Sequence, residues 1–188
     1  MEPLEELREE HGGIMKVFSI LQGLTLNLEQ HNPEAVDDLR RILEFLTVFV
    51  DQCHHAKEEE FLFPAMEKAH TKNGHLIEEL ISEHDKGRKM IGTLNTTLGS
   101  TERGGEQDTD QLVKTIHDYI QVFRTHIRKE NGILFPEARE LFSDSDRQVM
   151  AREFEELEEK RIGKGRHEAF HRMIEELMPY ADMREKRD

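Results

Sequence analysis

Cysteine is nearly absent: Cys53 is the single one among 188 residues, so no disulfide can form within the chain and a disulfide scaffold is excluded. Tryptophan is missing and tyrosine occurs only twice. With five prolines and twelve glycines, long stretches run without a helix breaker. Positive charge is short, 26 Lys and Arg against 40 Asp and Glu, for a formal net charge of −14. That balance argues against nucleic acid or an anionic membrane surface as a partner, because both need a basic footprint. No apolar run approaches the ~20 residues that span a bilayer. The first ten residues are acidic and helical in pattern, unlike a secretion signal, so a cytoplasmic location is expected. Histidine, in contrast, is plentiful, with 11 in the chain.

The length fits one domain with an appended subdomain. Hydrophobic residues make up 36% and charged residues 35%, so the core must be concentrated on narrow faces. Apolar residues recur at helical spacing and no segment alternates with period two for long. Six helices are expected. The first carries Leu4, Leu7, Phe18, Leu21 and Leu28 and ends near Asn32-Pro33. A second runs from about Glu34 to His70, with Pro64 marking a kink or local break. A third spans about His75 to Leu98, and a polar loop over Gly99 to Gln107 contains Gly104-Gly105. The fourth runs from about Asp108 to Phe142, and Ser143 is a plausible N-cap for a fifth that ends at Ile162 to Gly165. A short sixth covers Arg166 to Met178, followed by a charged, frayed tail, 179–188. Four long helices with short loops predict an all-α, antiparallel up-down four-helix bundle over residues 1–142, with the extension 143–178 packed outside it or over one end.

The bundle contains an internal repeat. Leu4-Glu5-Glu6-Leu7 with Glu10-His11 matches Ile77-Glu78-Glu79-Leu80 with Glu83-His84 at an offset of 73. His54, Lys57, Glu58, Leu62, Phe63 and Pro64 match His126, Lys129, Glu130, Leu134, Phe135 and Pro136 at an offset of 72. Each half therefore has one helix bearing a histidine and another bearing HxxxE. A duplicated hairpin explains the matched Leu and Phe, but not why the matched polar residues are two His and a Glu. On helix four the stripe Leu112, Ile116, Tyr119, Phe123 continues into His126 and Glu130, and on helix two Leu43, Leu46, Val50 continues into His54 and Glu58. His11 follows Leu4 and Leu7, and His84 follows Ile77 and Leu80. All six polar groups thus point into the interior, where an unpartnered imidazole or carboxylate costs several kcal/mol. A bound metal removes that cost. Four imidazoles and two carboxylates without thiolate suit iron, manganese, zinc or copper rather than calcium or magnesium. Both glutamates can bridge two ions, each with two imidazoles, leaving open positions for dioxygen, peroxide, nitric oxide or an oxo bridge.

The order H…HxxxE…H…HxxxE, with Leu-Phe-Pro after each HxxxE, resembles the hemerythrin-like (HHE cation-binding) family across residues 1–142. The resemblance implies His11, His54, Glu58, His84, His126 and Glu130 as ligands of a non-haem di-iron centre. Oxygen-carrying hemerythrins have a fifth histidine and an aspartate in place of the second glutamate, whereas this chain has Glu130 there. Its pattern is closer to bacterial hemerythrin-like proteins and to the di-iron domain of iron–sulfur-cluster repair proteins, without the Cys-rich N-terminal segment of the latter. In some iron-sensing members the residue after the first motif histidine is a carboxylate ligand, so His55 is either a fifth ligand or, as the leading alternative, an exposed residue or a neighbour of the site. The segment Gly165 to His171 resembles an extension in a subset of bacterial members, so His167, with His171 as the alternative, is expected to reach the site as an extra ligand or gate. Otherwise both sit at the rim of an outer helix. Tyr119 is read as a hydrogen-bond donor to a bridging carboxylate or as a core aromatic, and Cys53 as a small buried residue. His31, His70, His75 and His117 are expected in solvent, as is the charge run Glu155 to Glu159. The leading function is binding or sensing of dioxygen or a related small molecule. An enzyme turning over peroxide or nitric oxide, and an iron storage or structural metal protein, are the alternatives.

Overall fold

The structure, a computed structural model, describes residues 2–30, 32–101, 106–163 and 165–185. Gly104-Gly105, His31 and the end of the charged tail, 186–188, lie outside the described residues. Among the described residues every regular element is helical. Helix α1 is Pro3–Glu29. Helix α2, residues 33–68, is α-helical over Pro33–Phe45, π-helical over Leu46–His55 and Glu58–Leu62, and α-helical again over Phe63–Lys68. Helix α3 is Gly74–Thr101. Helix α4, residues 106–141, consists of Glu106–Lys129, a π-turn Glu130–Leu134, and Phe135–Leu141. Helix α5 is Asp144–Arg161 and helix α6 is Arg166–Glu185.

The first four helices form the expected bundle, with α1 against α2 and α4, and α3 against the same two. Its interior is built in three layers. One apolar cluster holds Ile14, Phe18, Leu43, Val50, Ile91, Leu94, Ile116 and Phe123. A second, toward the other end, holds Leu4, Leu7, Leu62, Phe63, Leu80, Leu134, Phe135 and Phe154. Along every helix of the bundle the step from one cluster to the other is made at a motif residue: His11, Glu58, His84 or Glu130. The histidines and glutamates thus form a polar slab between two apolar blocks.

Pro64 does not break α2. The π-turn Glu58–Leu62 precedes it, and the matching turn Glu130–Leu134 precedes Pro136. A widened turn already interrupts the i→i+4 ladder there, which accommodates the missing proline N–H. Ser143 caps α5 as expected, within a capping box completed by Asp146. Gly163 and Gly165 end that helix with φ of 78° and 96°, backbone that a β-carbon disfavours.

Helix α6 is longer than the sequence pattern indicates, running through Pro179 to Glu185 instead of stopping at Met178. An interior proline costs about 3 kcal/mol. Here docking on α1 offsets it: the backbone of α6 presses so closely on Gly23 that a β-carbon there would lie 1.8 Å from the Tyr180 carbonyl oxygen. The Tyr180 hydroxyl also donates to Asp38 at 2.8 Å. Much of the expected tail is therefore ordered helix.

Candidate metal centre

All six motif residues are buried in the slab, none more than 2% exposed. Their ligand atoms fall into two groups that share both carboxylates: His11, His54, Glu58 and Glu130, and His84, His126, Glu58 and Glu130, with all atoms of a group within 4.8 Å of one another. Each carboxylate spans the groups. Glu58 sets one oxygen 3.8 Å from His54 Nε2 and the other 3.6 Å from His84 Nε2. Glu130 sets one oxygen 3.2 Å from His11 Nε2 and the other 3.0 Å from His126 Nε2.

The imidazoles are oriented from behind. His54 Nδ1 donates to Glu10 at 2.7 Å and His126 Nδ1 to Glu83 at 2.9 Å. His84 Nδ1 donates to Glu59 at 2.6 Å, and His11 Nδ1 to the Asn131 side-chain oxygen at 3.1 Å. With Nδ1 occupied, every Nε2 faces inward, the arrangement that fixes the tautomer of a metal-ligating histidine. In front, both oxygens of Glu58, both of Glu130 and His11 Nε2 are buried without a hydrogen-bond partner among the described residues. Buried carboxylates without donors are rare because they forfeit solvation with no return.

The electrostatics carry the same message. Burial and the neighbouring Glu130 hold the Glu58 carboxyl well above its ordinary range. Burial acts on Glu130 too, but His126 and His11 outweigh it and hold that carboxyl well below. Burial lowers His54 to about 4 despite Glu10, whereas Glu130 and Glu83 overcome burial at His126 and raise it to about 9. Left to protons alone, the slab contains abutting groups with opposed preferences, and His84 Nε2 faces His126 Nε2 at 3.0 Å. Cations among these atoms would satisfy all of them. The donor set of imidazole and carboxylate fits iron, manganese or zinc.

His55 belongs to this centre rather than to the surface. It is 4% exposed, stacked on His84 with ring centroids 3.8 Å apart and planes at 14°, and it forms a third group with His84 and His126. The π-helical run Leu46–His55 is the cause. Bonding i to i+5 puts more residues in each turn, so consecutive side chains diverge less and His54 and His55 both face inward. No matching run exists in α4, whose π-turn begins only at Glu130.

The structure does not bring His167 to the centre. Helix α6 lies outside the ring of four helices, and the half-buried His167 stands over Phe49 at 5.7 Å and beside the exposed His171 at 4.7 Å. Both line a cavity of about 750 Å³ between α1, α2, α5 and α6. Tyr119 is a core aromatic, packed against Phe123 at 4.6 Å and edge-on to Phe18; its buried hydroxyl has no hydrogen-bond partner among the described residues and bonds neither carboxylate. Cys53 is buried, its thiol pushed up to about 12 by burial, and stands outside the clusters. His70, His75 and His117 are exposed.

Sequence reasoning did not assign the residues behind the imidazoles. Glu10, Glu83, Lys57 and Lys129 were visible as repeat matches, a signal that they serve equivalent places. Glu59 and Asn131 occupy equivalent places as well, one residue after each motif glutamate, but differ in type. A fourth group, the carboxylates Glu6, Glu10 and Glu158, encloses a side-chain ammonium: Lys57 Nζ reaches them at 2.6, 2.6 and 3.3 Å.

A helical bundle with an interior slab of four inward-aimed imidazoles and two spanning carboxylates defines a cation-binding protein. The hemerythrin HHE cation binding domain matches residues 2–138, and the chain belongs to that family. It is similar to uncharacterized proteins of Mycobacterium bovis and Mycobacterium tuberculosis, 24% identical to each over 159 residues. Those matches cover 85% of this chain, which spans 62% of the length of these relatives. Among the described residues, no helix is long and apolar enough to cross a membrane.

Proposed function

We propose that this chain is a non-haem di-iron protein that binds or senses dioxygen or a related small molecule, peroxide or nitric oxide, at a carboxylate-bridged centre. The observation that carries the reading is the pair of buried carboxylates, each presenting one oxygen to each pair of histidines. His11 and His54 would hold one ion, His84 and His126 the other, with Glu58 and Glu130 between them; zinc or manganese are substitutes the donor set accepts. His55 would add a third imidazole to the second ion. Two such ions supply a redox-active pair with positions left open for a small exogenous ligand.

The chain's own residues do the rest. Glu10, Asn131, Glu59 and Glu83 aim the imidazoles, the two apolar blocks exclude bulk water, and Leu and Phe on either side fix the slab's depth. Binding is favoured over turnover because Tyr119, the buried hydroxyl nearest in sequence to the second motif, bonds no group of the slab. The test is elemental mass spectrometry of protein purified without added metal, followed by spectroscopy with each gas and with peroxide. Two irons per chain and a stable adduct without turnover are expected. Zero or one metal per folded chain, or repeated turnover of peroxide, overturns the reading.

A further inference from the structure

The two halves of the repeat each contain a chain of polar contacts leading outward from a motif histidine. In the second half, His126 donates to Glu83, and Lys129 Nζ joins Glu83 and Glu79 at 2.6 and 2.8 Å. The chain stops there, with Lys129 at 18% exposure. In the first half His54 donates to Glu10, and Lys57 Nζ joins Glu10 and Glu6, but the path continues. Lys57 is 0% exposed because α5 covers it, giving Glu158 to its ammonium at 3.3 Å and the Phe154 ring beneath it at 5.6 Å. Two residues of a helix outside the matched family segment, 2–138, therefore close on a buried lysine two contacts from a candidate ligand.

We propose that Lys57 and Glu158 couple occupancy of the His11/His54 metal position to the docking of α5, making that helix the element through which the state of the centre reaches the surface. The inference rests on the di-metal reading above. His54 Nδ1 donates to Glu10 and holds it where Lys57 needs it, and an ion held by Nε2 would pin that ring in place. Without the metal only Glu10 holds the His54 ring, so the ring, Glu10, Lys57 and the Glu158 contact are freer to shift together. Coupling of this kind is reciprocal: what α5 gains from the metal, the metal gains from α5. Among the described residues the ion pairs of Lys129 are to Glu79 and Glu83 of α3, which makes its half a built-in control. The remaining strong α5 link to α2, Arg161 with Glu60 at 2.6 Å, joins two side chains at 40% and 45% exposure and reaches no residue of the slab.

The experiment is hydrogen exchange, read by mass spectrometry, on the full chain with and without iron(II) under anaerobic conditions. Wild-type α5 is expected to exchange at least about 10-fold more slowly when iron is bound. Glu158→Gln, at a position 32% exposed, keeps the fold and should abolish that slowing in α5 while leaving it intact around His84 and His126. The same variant should hold iron about 10-fold more weakly, as loss of groups supporting a ligand does. Lys129→Gln should leave the slowing of α5 unchanged. If wild type binds two irons and α5 exchange does not respond, or responds equally in Glu158→Gln, the coupling is refuted and the di-metal reading stands. If wild type binds no iron, both fall.

Discussion

Replacing Glu58 by Gln should make the metal-free protein more stable and the metal-loaded protein less so, a crossing that a merely structural residue would not produce. Both Glu58 oxygens are buried without a hydrogen-bond partner, and Glu130, the other carboxylate, stands close enough to push Glu58's proton affinity up. An unsatisfied buried group costs roughly 1–3 kcal/mol, and a charged one more. Gln keeps the shape, carries no charge and offers an amide donor toward Glu130. The metal-free variant should therefore gain about 2 kcal/mol, which for a chain of this size corresponds to roughly 4–8 °C in Tm. With free iron(II) at about 100 times Kd, wild type gains about 2.7 kcal/mol per bound ion by mass action, and the variant, lacking one bridge, should gain little. Anaerobic calorimetry of both proteins with and without iron measures all four states. A metal-free variant less stable than wild type, together with an unchanged iron-induced shift, would refute the assignment of Glu58 as a strained bridging ligand.

The pH dependence of the metal-free chain should carry a signature of His126. Its folded value is raised to about 9 from 6.5, so its contribution is fully present below pH 6.5 and is lost as pH rises through 9; His126→Gln should flatten that limb in urea titrations. His54 is the opposite case, lowered to about 4, so its contribution is present above pH 6.5 and disappears as pH falls toward 4; His54→Gln should flatten the acid limb. His55→Gln should leave the fold intact but weaken the iron held by His84 and His126 about 10-fold, read as metal retained after dialysis against a chelator; unchanged retention would return His55 to a packing role. Lys57→Met should cost about 3–5 kcal/mol by leaving the buried Glu10 and half-buried Glu6 beside no cation, while Lys129→Met, in a more open pair, should cost about 1 kcal/mol or less; equal losses in chemical denaturation would contradict the burial difference. Gly23→Ala should destabilise by about 1–3 kcal/mol, since its β-carbon meets the Tyr180 carbonyl, and should leave iron content unchanged.

What could be read from the sequence was whatever follows helical periodicity. The stripe Leu112, Ile116, Tyr119, Phe123 runs straight into His126, and the structure places His126 and Glu130 where that stepping puts them. The same logic located His11, His54, Glu58 and His84. His55 was not legible as a buried residue because the argument assumes 3.6 residues per turn, and Leu46–His55 does not have them. His167 was overvalued for a different reason: an i, i+4 histidine pair records which face of a helix it occupies, but not which side of the bundle that helix docks on. The extent of α6 failed on local grounds, since Pro179 is a stop signal by its own chemistry and is overridden only by tertiary contact with Gly23 and Asp38.

The near-symmetry of the repeat makes its few departures informative. Glu59 and Asn131 sit at equivalent positions and perform equivalent tasks, holding His84 and His11 by Nδ1, yet one is a carboxylate and the other an amide. A carboxylate behind an imidazole makes it a stronger donor to whatever its Nε2 holds. The second position thus has two charged supports, Glu59 and Glu83, and a third imidazole stacked at its edge, while the first has one charged support, Glu10, and a neutral one. Two ions held this way would differ in charge preference and in the number of protein donors. The position with fewer donors is also the one whose support leads through Lys57 to α5. In an ancestral pair of identical hairpins no such distinction could exist. Asn131, the π-helical run that turns His55 inward, and the appended helix that buries Lys57 together convert a duplicated pocket into two unequal ones. On the proposed reading, an exogenous ligand would join the first position, which has fewer protein donors, and that is the position whose support reaches α5.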